Sequence, residues 1–169
     1  MNYRYILLVF LLCSCAGHTF KDNPTYKGCK DKGLITGDDF LFIIPGNNGS
    51  IEFPDVHTFD RNGRPLFSRN CANAIDGFIK VLHDTAANSL LNGAPDINTY
   101  LKNNRLFTSD GKRLTKEKLP DKDFYIFYCT MYMMLDHGNN DTVVLQHVRN
   151  AQKLANRQNI AFYLVTPSS

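Results

Sequence analysis

The chain contains no tryptophan and only five cysteines, two of which, Cys13 and Cys15, stand within its first fifteen residues. No Cys-x-x-Cys pair occurs, which removes the dithiol that redox enzymes use for attack and resolution. No two histidines stand at the close spacing of a metal motif, and no cofactor fingerprint is present. Gly46-Asn47-Asn48-Gly49 lacks the Lys-Ser/Thr and the following helix start of a phosphate loop, so it reads as a turn. Nineteen Lys and Arg against sixteen Asp and Glu give a net charge of +3, with the signs interleaved. That pattern forms no stripe for neutralising a phosphate backbone and argues against nucleic acid as a partner. The apolar runs are also short, none approaching the about 20 residues of a membrane span. Neither a cofactor nor a metal is expected.

What is present begins at the N-terminus. Arg4 precedes the apolar run Ile6-Leu7-Leu8-Val9-Phe10-Leu11-Leu12, giving the charged and hydrophobic regions of a secretory signal. Leu12-Cys13-Ser14-Cys15 then resembles the lipobox of bacterial lipoprotein precursors, in which small residues precede an acylated cysteine. The resemblance implies removal of residues 1–14 and a lipid, of the palmitate kind, on Cys15. Cys13 departs from the usual Ala, Ser or Val of that motif. An ordinary signal peptide cut near Ala16 or Gly17 is the alternative. Several acyl chains, each CH₂ contributing about 0.8 kcal/mol, would anchor the chain to a membrane permanently. Ala16, rather than the Asp that resembles an inner-membrane retention signal, directs the expectation to the outer membrane facing the periplasm.

Three cysteines would then remain, Cys29, Cys71 and Cys129, in an oxidising compartment. Cys29 and Cys71 are the expected disulfide pair, and three unpaired thiols with Cys129 packed as a small hydrophobe are the alternative. Residues 15–39 are polar and read as a lipidated N-terminus and tether, and residues 40–169 as one α/β domain. Within it, 40–45 has strand length. Asp60-Arg61-Asn62-Gly63 and Ser109-Asp110-Gly111-Lys112 mark two independent hairpins, with Asn-Gly and Asp-Gly supplying positive φ.

Helical spacing of Ile75, Phe78, Ile79, Leu82 and Ala86 predicts a helix over 72–92 that ends at Gly93. A short helix over 96–103 would be capped by Asp96, with Ile97, Tyr100 and Leu101 inward. Residues 124–134 are apolar on both alternating faces, as a strand covered on both sides requires. A helix follows over 141–157, capped by Asp141 with Val144, Val148, Ala151 and Ala155 as its stripe, and 160–165 is a second two-sided strand. Strand, helix and strand make a βαβ unit near the C-terminus, hence a small mixed sheet.

The run from Leu106 to Pro167, with its Asp110-Gly111-Lys112 hairpin, lead, strand, helix and strand, weakly resembles thioredoxin-like domains of the peroxiredoxin and cytochrome-maturation kind. The resemblance implies that fold for under half of the chain. The family's redox chemistry does not carry over, because Met133-Met134-Leu135-Asp136 occupies the place of Cys-x-x-Cys. Cys129 with Asp136 and His137 is the alternative nucleophilic site. His57 is expected on a strand, and His83 and His147 on helices. Tyr125, Tyr128, Tyr132, Met131, Met133 and Met134 read as core. The sequence thus points to a membrane-anchored envelope lipoprotein that acts as a non-catalytic binding module, with an envelope protein as a candidate partner. A thiol-dependent envelope enzyme is the alternative.

Overall fold

The computed structural model describes residues 20–35, 39–45, 53–69, 93–135 and 142–167. These form α1 (Pro24–Asp31), β1 (Phe40–Pro45), β2 (Asp55–Asp60), β3 (Pro65–Arg69), α2 (Ile97–Asn103), β4 (Asn104–Thr108), β5 (Phe124–Cys129), α3 (Tyr132–Leu135), α4 (Val143–Arg157) and β6 (Ile160–Pro167). The six described strands make one mixed sheet in the order β3-β2-β5-β6-β1-β4. The chain is α/β, and its βαβ unit forms: β5 and β6 are parallel neighbours, in register from Phe124↔Ile160 to Cys129↔Val165, with α4 between them in sequence. β1 is parallel to β6 on the other side.

Both faces of this sheet are covered, which is why β1, β5 and β6 carry apolar residues without alternation. On one face Phe40, Phe42, Ile126, Tyr128, Phe162 and Leu164 pack beneath α1 and α4. On the other, Leu41, Ile43, Phe59, Phe127, Tyr163 and Val165 pack beneath α2. Ile126 and Phe127, adjacent in β5, are both fully enclosed and point to opposite layers. Each such side chain contributes about 1.5–3 kcal/mol through burial.

The short helix α2 forms as its sequence predicts. Asp96 caps it by accepting from Thr99 N at 2.8 Å, and Ile97, Tyr100 and Leu101 are buried. The first hairpin joins β2 to β3, and the second folds back from β4, with Leu114 N donating to Leu106 O at 2.8 Å. In each turn only the glycine has positive φ, +84° at Gly63 and +80° at Gly111; Asn62 and Asp110 stay in the ordinary range. Both loops are therefore wider than the two-residue turn expected. At Gly63 the turn also meets α2: its carbonyl accepts from Ile97 N at 2.9 Å, and a Cβ there would lie 2.3 Å from Ile97 Cγ2.

Three expectations are corrected. The strand expected over 124–134 stops at Cys129, because after the buried Thr130 the chain turns into α3; Met133 is 66% exposed, not core. The cap of α4 is Thr142, whose Oγ1 accepts from Leu145 N at 3.0 Å and donates to Met134 O at 2.7 Å. Asp141 lies outside the described residues. The expected stripe holds Val148 and Ala151 fully buried, joined by Leu145, with Val144 and Ala155 partly buried.

The third correction concerns the tether, which is packed structure from 20 to 35. Asn23 caps α1 by accepting from Thr25 N at 2.8 Å, Pro24 occupies the first turn, and Cys29 and Leu34 are buried. Phe20 stacks on Phe42 with centroids 4.4 Å apart, and its N–H donates to Ser109 O at 2.8 Å. The helix expected over 72–92, with His83, and the turn at 46–49 lie outside the described residues. So does Cys15.

Candidate functional site

The parallel strands give the sheet two distinct ends. At the C-terminal end of β5, the antiparallel register sets Asp55 opposite Cys129. Side chains two apart on a strand share a face, and Asp55 Oδ2 lies 2.7 Å from His57 Nε2. The His57 ring packs at 4.6 Å from that of Tyr100, whose hydroxyl lies 3.6 Å from Cys129 Sγ. Phe59 and Phe127 close around Tyr100 at 5.4 and 5.2 Å. A carboxylate, an imidazole, a phenol and a thiol are thereby gathered at one place.

Chemically the thiol and the phenol are closed off, while Asp55 and His57 are only partly buried. Cys129 is 1% exposed, and burial pushes its thiol up to about 12, against the lowering effect of the Tyr100 hydroxyl. Burial likewise raises Tyr100 well above the ordinary phenol range. A nucleophilic cysteine needs a lowered pKa and access to solvent, and Cys129 has neither. Its expected partners, Asp136 and His137, lie outside the described residues. Cys29, on the opposite layer of the sheet, is a free, fully buried thiol that burial pushes up to about 12 despite the nearby Lys32. Cys71, with which it was expected to pair, lies outside the described residues. His147 sits on α4 as expected, and its buried Nδ1 has no hydrogen-bond partner among the described residues. Among the described residues no three His, Cys, Asp or Glu side chains gather as a metal ion would require.

The N-terminal end of β1, β5 and β6 is open instead. One groove of about 570 Å³ runs between α4 and the residues that lead into β1 and β5, with Lys122, Arg149 and Lys153 on its walls and Ile160 and Phe162 at its floor. A second, of about 480 Å³, lies on the other side of β6, with Lys112, Arg113, Lys118 and Lys122 around Leu114 and Tyr163. The two share Asp39, Lys122 and Phe162, so they join round the end of the sheet. Together they carry six cations against two carboxylates, Asp39 and Asp110. Asp110 is held down to about 2, first by Lys112, whose Nζ is 2.7 Å away, and then by the Thr108 hydroxyl. Lys118 Nζ donates to Arg113 O at 2.8 Å, which fixes a cation at the rim.

Volumes of this size match small-ligand sites, although the lining is more cationic than usual. The wall residues come from four separated parts of the sequence, so neither groove is announced by a motif. The Asp55–His57 contact does have a signal, an acid and a histidine two apart on a strand, which the sequence reading passed over. Among the described residues no helix is long and apolar enough to cross a membrane. No protein-family model, no curated protein and no solved structure matches this chain.

Proposed function

We propose that the chain is a lipid-anchored protein of the bacterial cell envelope that works as a non-catalytic binding module, its binding surface being the joined cationic grooves. One contrast carries this reading. The described thiols are buried and pushed up to about 12, whereas the concave, accessible surface is built of cations and is lined by no cysteine, serine or histidine. Anchoring rests on Leu12-Cys13-Ser14-Cys15 at the end of the N-terminal apolar run. Its test is growth of expressing bacteria on labelled fatty acid. Label should enter the native chain and be lost in Cys15→Ser, with precursor accumulating; label retained in the variant would overturn the anchor.

The Asp55, His57, Tyr100 and Cys129 cluster favours a second reading, a thiol-dependent enzyme. That reading requires an opening that lowers the Cys129 pKa, and a thiol-directed alkylating agent would find it. Modification of native Cys129 within minutes at neutral pH would support the enzyme over the binding module.

A further inference from the structure

We infer that the joined grooves rest on the phosphate groups of anionic phospholipids in the membrane that carries the anchor. The inference builds on the lipid-anchor reading and assigns its binding surface a ligand. The chain is packed from Phe20 onward, so only four residues separate it from Cys15. Fully extended, five residue steps reach at most about 18 Å. The domain is thus held close to the bilayer on the side where Phe20 enters the fold.

That side is marked by the Phe20 N–H bond to Ser109 O. Thr108 and Asp110, which flank Ser109, and the nearby Lys112 line the second groove. Phe20, the first described residue, therefore lies beside the second groove. Six cations against two carboxylates leave the joined lining with a surplus of four positive charges. Anionic headgroups attract basic side chains within about a Debye length, near 10 Å. Two lobes meeting at Lys122 offer separate places for adjacent headgroups, a better fit to a surface of repeated phosphates than to one enclosed anion.

The test is residue-resolved labelling of lysine amines by a water-soluble reagent, read by mass spectrometry, on the acylated chain in phosphatidylcholine vesicles and in phosphatidylglycerol-rich vesicles. The mass of the Cys15 peptide reports acylation independently. Labelling of Lys112, Lys118, Lys122 and Lys153 should slow by about threefold or more in the anionic vesicles. The effect should disappear in high salt, while Lys30 on α1, which lines neither groove, changes little. Lys122→Glu with Lys153→Glu should remove the protection of Lys112 and Lys118. Equal labelling in both vesicles on an acylated chain would overturn the headgroup assignment and leave the anchor standing; an unmodified Cys15 with equal labelling would overturn both. Equal protection by dissolved inorganic phosphate without vesicles would overturn the lipid source in favour of a free anion.

Discussion

The two ends of the sheet divide chemistry from access. Where β5 ends, Asp55, His57, Tyr100 and Cys129 hold every functional group that a thiol enzyme uses, yet Tyr100 and Cys129 are enclosed among aromatic rings and burial keeps the thiol protonated. Where β1, β5 and β6 begin, the grooves are open and charged but are lined by no cysteine, serine or histidine. Reactive residue types are therefore poor evidence of reaction. The same cysteine is a nucleophile or a packing residue according to the dielectric around it.

The contrast can be broken most sharply at the closed end. Phe127→Ala removes a ring in contact with Phe59, Tyr100 and Tyr163 and should cost about 3–5 kcal/mol. Urea melts measure it, and a loss under 1 kcal/mol would mean that this end is loosely packed and could open. Gly63→Ala should cost about 1–3 kcal/mol, because the new Cβ collides with Ile97 Cγ2 at a φ of +84°. Since α2 also carries Tyr100, the same change should speed alkylation of Cys129. An unaltered rate would show that α2 does not seal the thiol.

The pH dependence sharpens the comparison next. With Cys29 and Cys129 both pushed up to about 12 by burial, the folded chain keeps protons that unfolded cysteines lose above about 8.5. Stability should be unaffected by these thiols below pH 8 and fall between about pH 9 and 12, by up to about 1.4 kcal/mol per pH unit for each thiol. Cys129→Ala should flatten that alkaline decline by one thiol's share, and an unchanged slope would contradict the closed environment. The smallest effects belong to the open end and the outer face of α4. Lys122→Gln and Asn150→Ala should each change stability by no more than about half a kcal/mol. A larger loss at Lys122 would make the groove a structural element rather than a free surface.

Sequence reading succeeds where a few local residues decide the outcome. Asp96 with Ile97, Tyr100 and Leu101 specifies a capped amphipathic turn, and two-sided apolar runs separated by a helix specify parallel central strands. It fails for α1, whose eight residues hold only Tyr26 and Cys29 for the core, too few for periodicity to emerge from the charged background. Nor could local pattern show that Asp39, Lys112, Lys122 and Lys153 share one end of the sheet, since that depends on β1 lying between β6 and β4. The thioredoxin-like resemblance over 106–167 rests on element order and on the Asp110-Gly111-Lys112 hairpin. In this sheet β1 and β4 lie beyond β6, while β2 and β3 lie beyond β5.

The place of β6 also governs when the chain can fold. Its residues, Ile160–Pro167, are the last described strand in sequence, yet they sit between β5 and β1. Until they arrive, β3-β2-β5 and β1-β4 are separate pieces, each with an unpaired apolar edge. The contacts that join them span more than a hundred residues between β1 and β6, a separation that slows folding. A chain emerging N-terminus first therefore stays open until β6 has been delivered. That order makes the half-delivered chain the species most exposed to aggregation and proteolysis.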